Sequence, residues 1–271
     1  MMQIKKYLRT NLATAIILPL LITGCNSDTQ VMERPEKVYD DTAQRRMKAN
    51  NFFSAIESLQ AIEARYPFGR YAEQAQSELI YAYYMNGEDE ASHEAAEKFI
   101  RLNPRHPNID YAYFMRGIAS YTRDKGVFAR VFKSDLSNRD ISGAKQAFGE
   151  LSEFLTRFPQ SQYAPYASQR LIYLRSLIAK NELVAAEYYL KRKAYVAALR
   201  RAKYVIENIP NTSENIRALQ IVRECYEALG YFELMEDIEK VIEVNGGSII
   251  ENSESASWNF FSRKAPRPAQ D

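Results

Sequence analysis

An internal repeat constrains the fold of this chain more than any other feature of the sequence. Each copy begins with an alanine and a large apolar residue, continues with apolar residues three positions apart, and ends in a proline. Gap-free copies occur at 55–67, 147–159 and 198–210. Apolar residues at this spacing form one stripe along a helix, and a helix cannot continue through the proline. The repeat therefore predicts a helix that ends just before its proline in every copy.

A second repeated element opens a new helix after the proline. A tyrosine–alanine pair stands four residues after a proline, with its tyrosine at Tyr71, Tyr111 and Tyr163. Together the two elements describe a helix–turn–helix unit whose pattern resembles the tetratricopeptide repeat. One unit cannot bury its apolar stripe alone, so neighbouring units should stack. We predict an all-α, tetratricopeptide-like superhelix with a concave face, built from five helical hairpins at 36–67, 71–104, 109–159, 163–210 and 213–245.

Three segments fall outside the predicted hairpin helices. Residues 123–140 are an insertion between the two helices of the third hairpin, either a loop folded back on the scaffold or a protruding contact element. Residues 25–35 have the polar composition of a tether. Residues 246–271 form a polar tail that includes Pro266 and Pro268, and we expect this tail to be disordered.

The beginning of the chain is organised as an export signal. Three basic residues between positions 5 and 9 precede an apolar stretch at 12–22. That stretch is too short to cross about 30 Å of hydrocarbon as a helix, but it suits the core of a signal peptide. We therefore predict a lipoprotein signal peptide at 1–24.

Cys25 stands at the end of this signal, after Thr23 and Gly24, in a pattern that resembles the bacterial lipobox. We predict that Cys25 carries N-palmitoyl and S-diacylglycerol groups, whose acyl chains anchor the mature chain in lipid. The alternative is an ordinary secretory signal with an incidental cysteine. Asn26 follows the cysteine where an aspartate would favour the inner membrane, so we expect the outer membrane.

Composition excludes several function classes. The formal net charge is +2, which gives no basis for nucleic-acid binding. With two histidines and two cysteines, and without phosphate-binding or nucleophile motifs, the sequence predicts no metal, no cofactor and no enzyme activity. We expect His93 to be solvated, Cys225 to be a buried core thiol, and the carboxylates to lie on solvated helical faces.

Several motifs together resemble one family closely. They are Arg65-Tyr66-Pro67-Phe68-Gly69, Tyr81-Ala82-Tyr83-Tyr84, Phe99-Ile100-Arg101-Leu102-Asn103-Pro104, His106-Pro107-Asn108-Ile109-Asp110-Tyr111, Met115-Arg116-Gly117, Asp135 with Arg139-Asp140, and Ala186-Glu187-Tyr188-Tyr189. They resemble the BamD (ComL) family, the lipoproteins of the outer-membrane β-barrel assembly machine, over about residues 20–245. The resemblance implies five tetratricopeptide-like repeats, an outer-membrane anchor facing the periplasm, and no enzyme activity. The tail from Gly246 onward is longer than the resemblance leads us to expect.

The resemblance also implies partners and their sites. The N-terminal hairpins would form a groove for the aromatic end of an unfolded outer-membrane protein precursor, with Tyr66, Phe68, Tyr81, Tyr84, Arg101 and Asn103 as candidates. Each tyrosine could equally be part of the core between helices. The C-terminal hairpins would hold the barrel-forming subunit BamA, and other lipoproteins of the complex would also bind. Arg200, Arg201 and Lys203 are the BamA candidates, with solvated surface charge as the alternative.

Two other functions are compatible with the residues alone. One is a structural envelope lipoprotein that binds peptidoglycan and holds the wall at a distance from the membrane. The other is a hydrolase on a helical scaffold, for which the sequence offers no catalytic motif.

Overall fold

The computed structural model describes residues 34–123, 140–245 and 267–268. Within these ranges it contains ten α-helices, α1 to α10 in chain order: Glu36–Lys48, Phe52–Arg65, Ala72–Asn86, Asp89–Leu102, Ile109–Arg123, Ser142–Arg157, Ala164–Lys191, Tyr195–Asn208, Glu214–Leu229 and Phe232–Asn245. The predicted signal peptide (1–24), Cys25, and nearly all of the 123–140 insertion lie outside the described residues.

Consecutive helices pack against each other as antiparallel pairs joined by short connections. The first helices of neighbouring hairpins also touch, because α3 packs on α5 and α7 packs on α9. This arrangement confirms the predicted all-α fold of tetratricopeptide-like hairpins. The fourth hairpin exceeds the usual repeat length because α7 alone has 28 residues.

Four helices end with one shared geometry at the residue before a proline. At the ends of α2, α4, α6 and α8, φ lies between −123° and −130° and ψ between 55° and 58°. In each case the N–H of this residue still donates to the carbonyl four positions earlier. Proline disfavours helical geometry in the residue before it, which explains the common shape. The predicted helix ends are therefore confirmed.

Two apolar clusters form the core of the described helices. The smaller lies among α1, α2 and α3, and the larger extends from α3 to α9. Tyr81 and Met85 pack against both clusters. Cys225 is fully buried in the larger cluster, and burial raises the pKa of its thiol to about 11. The prediction of a core thiol is confirmed.

The expectation of a solvated His93 is wrong. Its side chain is buried, and its Nε2 lies 2.9 Å from Oε1 of Glu150 on α6. The hydrogen bond with Glu150 raises the pKa of His93 and outweighs burial, which acts the other way. Burial favours the neutral form of Glu150, but hydrogen bonds from His93, Ser120 and Gln146 prevail and lower its pKa.

The expectation of solvated carboxylates is also wrong at five buried positions, which are Asp40, Glu78, Asp89, Glu182 and Glu214. Three of these residues are glutamates. Glu78, Glu182 and Glu214 are only 1%, 5% and 6% exposed. Each accepts hydrogen bonds from side chains on a neighbouring helix, so its buried charge has partners. These glutamates hold helices together.

Two residues of the predicted tail are described, and the disorder of the tail stays a prediction. Arg267 hydrogen-bonds to Gln44 on α1, and Pro268 beside it is buried. The remainder of the predicted tail lies outside the described residues.

Candidate functional site

An open cleft of about 900 Å³ lies between α6, α7 and α8, and two predicted partner-binding residues line it. Arg200 and Arg201 face this cleft together with two further cations, Lys145 and Lys193. One buried carboxylate, Glu182, lies among them. Four cations against one carboxylate make the cleft basic.

Glu182 fixes the position of two of these cations. Arg201 Nη1 donates to Glu182 Oε2 at 2.7 Å, and Lys145 Nζ donates to Glu182 Oε1 at 3.0 Å. Burial favours the neutral form of Glu182, but the bonds from Lys145 and Arg201 prevail and lower its pKa. The side chains of Arg201 and Lys145 remain 47% and 48% exposed, so both can still contact a partner.

Apolar side chains complete this cleft. Val196 and Tyr204 are 62% and 43% exposed, and both line the cleft with Arg200. Positions 196, 200 and 204 are four residues apart, so they share one face of α8. That spacing could have revealed both residues from the sequence, whereas nothing local pointed to Lys145 or Glu182.

Lys203 does not belong to this cleft. Its side chain is exposed, and its ammonium lies 3.6 Å from Glu207 one turn further along α8. An exposed pair of this kind contributes little to stability. The structure thus brings Arg200 and Arg201 to one surface and leaves Lys203 elsewhere on α8.

The predicted groove tyrosines on α3 differ in accessibility. Tyr81 is half-buried, and its ring meets Phe52 edge-on with centroids 5.9 Å apart. Tyr84 is only 5% exposed and belongs to the larger core cluster. A peptide could touch Tyr81, whereas Tyr84 can act only by packing in this conformation.

Two further groove candidates lie where α2 leads into α3. Tyr66 is the C-cap residue of α2 and is half-buried. Its ring centroid lies 6.5 Å from that of Tyr39. Phe68 follows in the turn and is completely exposed. The exposed ring of Phe68 offers apolar surface that suits an apolar contact.

The polar groove candidates lie at the end of α4. Arg101 is exposed in the last turn, and Asn103 caps the helix. Asn103 Nδ2 donates to Oε1 of Gln76 at 2.8 Å, which ties the end of α4 to α3. The guanidinium of Arg101 therefore stands beside a fixed helix end.

Two features are absent from the described residues. No three potential metal ligands converge anywhere in 34–123, 140–245 or 267–268. No helix in those same ranges is long and apolar enough to cross a membrane.

Comparisons with known proteins agree with one another. The family model of YfiO, described as an outer membrane lipoprotein, matches residues 32–241. "Outer membrane protein assembly factor BamD" of Vibrio cholerae is 34% identical over 227 residues, covering 83% of this chain and 94% of that protein. The protein of that name from Neisseria meningitidis serogroup A is 34% identical over 85% of this chain and 89% of its own length. The one from Xylella fastidiosa is 35% identical over 86% and 81%.

Proposed function

We propose a function from one premise: the chain belongs to the YfiO family of outer membrane lipoproteins, whose relatives include the assembly factors called BamD. It is an outer-membrane assembly factor and not an enzyme. In our proposal it is a lipid-anchored scaffold of the β-barrel assembly complex that faces the periplasm. There it binds BamA, other lipoproteins of the complex, and unfolded outer-membrane protein precursors.

The single observation that carries the BamA assignment is the basic cleft bordered by Arg200 and Arg201. Its exposed cations and its apolar residues Val196 and Tyr204 suit a protein surface that offers carboxylates around an apolar centre. Glu182 holds Arg201 in place before the partner arrives, so less side-chain entropy is lost on binding. These features support a role for Arg201 at the BamA interface.

The precursor site is proposed on the N-terminal hairpins. Phe68 and Tyr81 offer aromatic surface, and Arg101 offers a guanidinium that can fork onto a terminal carboxylate. A peptide that ends in phenylalanine presents both partners at once. We include Tyr66 and Asn103 in this proposal, whereas Tyr84 is buried in the core and contributes by packing.

Arg201→Glu tests the BamA assignment. The substitution reverses one cleft charge and sets a second carboxylate beside Glu182, so a partner carboxylate would be repelled. We expect BamA co-purified with the tagged, detergent-extracted lipoprotein to fall at least about tenfold, since close charge pairs couple by about 1.5 kcal/mol or more.

Glu182→Gln is the matched control. It removes the carboxylate that holds Arg201 but leaves the Arg201 guanidinium in the cleft. If Arg201 contacts BamA, Glu182→Gln loses only the benefit of holding Arg201 in place and retains more capture than Arg201→Glu. Equal loss in both variants would assign Arg201 to the fold alone. Unchanged capture by Arg201→Glu, with the chain retained on purified wall sacculi in the absence of BamA, would favour a peptidoglycan-binding lipoprotein.

A further inference from the structure

Arg267, one of the two described residues of the C-terminal tail (246–271), contacts the first two hairpins. The tail is called the C-terminal segment below. Arg267 Nη2 donates to Oε1 of Gln44 at 2.6 Å and lies 3.3 Å from Oε1 of Glu78. The same nitrogen is 3.7 Å from the Met47 sulfur. One guanidinium therefore meets an amide oxygen, a carboxylate and a thioether from α1 and α3.

The receiving side of this contact is built for a cation. Glu78 is 1% exposed, and its other oxygen accepts a hydrogen bond from Gln44 Nε2 at 2.7 Å. This bond turns the Gln44 amide so that its oxygen faces Arg267. A carboxylate buried to this degree needs compensating partners, and Arg267 supplies a positive charge.

Arg267 and Pro268 are themselves largely shielded from solvent. The Arg267 side chain is 28% exposed, its Nε is shielded from solvent, and Pro268 is buried. Enclosure of a proline next to a paired arginine indicates a fitted contact between segments 189 residues apart in sequence.

This contact lies beside the proposed precursor site. Tyr81 is one helical turn after Glu78, so both side chains share a face of α3. Burial raises the pKa of Tyr81, while the positive charge of Arg267 acts to lower it. Arg267 is thus close enough to Tyr81 to affect its ionisation.

We infer that Gln44, Met47 and Glu78 form an arginine-binding site, which the chain's own C-terminal segment fills through Arg267. The filled site sets Arg267 close to Tyr81, where the segment competes with an incoming peptide. The binding site stands on its own contacts, whereas the competition rests on the proposed function.

A fluorescent peptide of residues 262–271 tests the site in the full-length lipoprotein. The wild-type chain already carries its own Arg267, so it should bind the added peptide weakly. Arg267→Ala empties the site, and we expect the full-length variant to bind the peptide at least tenfold more tightly by fluorescence anisotropy. Equal binding to both chains, or binding to neither, would overturn the inference.

Matched variants separate the arginine contact from general charge attraction. Arg263→Ala removes the same charge four residues earlier, and a chain with this change should bind the peptide as weakly as wild type. The peptide carrying Arg267→Ala should lose binding to the emptied site. Gln44→Ala in the Arg267→Ala chain should also lose it, and this half-exposed position avoids the unfolding that a change at buried Glu78 could cause.

A second peptide distinguishes the two parts of the inference. The probe is a ten-residue peptide of alternating apolar residues ending in phenylalanine with a free carboxylate. If the segment competes, Arg267→Ala binds this probe more tightly than wild type. If the two chains bind it equally, the competition is wrong and the arginine site stands. If neither chain binds it, the proposed precursor site fails and the arginine site again stands.

Discussion

Several buried or partly buried carboxylates in this chain pair with side chains that are distant in sequence. Glu150 meets His93 from 57 positions away, and Glu78 meets Arg267 from 189 positions away. A local pattern of charged residues on a helix looks the same whether its acid faces water or another helix. Burial of a charge without a partner costs a large desolvation free energy, so a buried carboxylate needs a partner. The partner is known only after the helices are packed. That is why the sequence alone misplaced His93 and the buried glutamates.

The His93–Glu150 pair predicts a pH dependence of stability. The pKa of His93 is raised from 6.5 on folding, so its contribution is complete below about pH 6.5 and is lost as pH rises through the folded pKa. The pKa of Glu150 is lowered from 4.5, so its contribution is complete above about pH 4.5 and is lost as pH falls through the folded pKa. The pair therefore stabilises the fold most between these two values.

Substitution of His93 should reveal this window. A hydrogen bond to a charged group contributes about 1.5–3 kcal/mol, so His93→Gln should lower the free energy of unfolding by roughly that amount near pH 5.5 and by less near pH 9. Urea unfolding at the two pH values measures the difference. With Glu150→Gln already present, His93→Gln should lose its pH dependence, and a pH-independent cost in the wild-type background would contradict the assignment.

At the level of the helices, local hydrogen bonds stabilise the turns that connect one hairpin to the next. Asp110, from the motif on which the family resemblance rests, accepts the N–H of Tyr111 at 2.8 Å and the hydroxyl of Ser161 at 2.6 Å. His106 accepts the N–H of Asn108 at 3.0 Å and packs edge-on against Phe99. These residues stabilise the turns between hairpins. The motif at 106–111, on which the family resemblance partly rests, therefore has a structural role.

Close approach of α5 and α6 depends on Gly117. A Cβ at this position would stand 2.6 Å from Leu151 Cγ, and Leu151 is fully buried and cannot move aside. Overpacking of a core costs about 1–3 kcal/mol, against about 0.5–1 kcal/mol gained when alanine replaces glycine in a helix. We expect Gly117→Ala to lower the free energy of unfolding by about 1–2 kcal/mol, measured by urea unfolding.

Gly149→Ala provides the matched control on the partner helix. Gly149 lies on α6, is exposed, and has nothing within 4 Å of the added Cβ. Only the helix propensity changes there, so the variant should be more stable by about 0.5–1 kcal/mol. If both glycine variants shift stability equally, the contact between Gly117 and Leu151 does not limit the packing of α5 on α6.

For the whole molecule, the sequence predicted what depends on local order along the chain. The alanine spacing and the prolines predicted the hairpins and their ends, because helix stripes and pre-proline geometry act within a few residues. The sequence did not predict how much of each hairpin's apolar surface is buried by its neighbours. On α10 no residue is buried, and the apolar side chains of Leu234 and Val241 are exposed.

The candidate surfaces were predictable only in part. Arg201 was identified through the family resemblance and Arg200 as a basic residue beside it, and both line one cleft in the structure. Lys145, on another helix, and the partner of Glu78, in the C-terminal segment, could not be identified by spacing. Surfaces assembled from several hairpins depend on the packed arrangement, which no single repeat encodes.

Site-specific photocrosslinking from Val196 in living cells tests the proposed scaffold role most directly. Val196 is 62% exposed in the cleft, and Phe53, 63% exposed on α2, is the control position. We predict a crosslink between position 196 and BamA that is absent from position 53 and weakened by Arg201→Glu. No BamA at position 196, or equal BamA at both positions, would contradict the account.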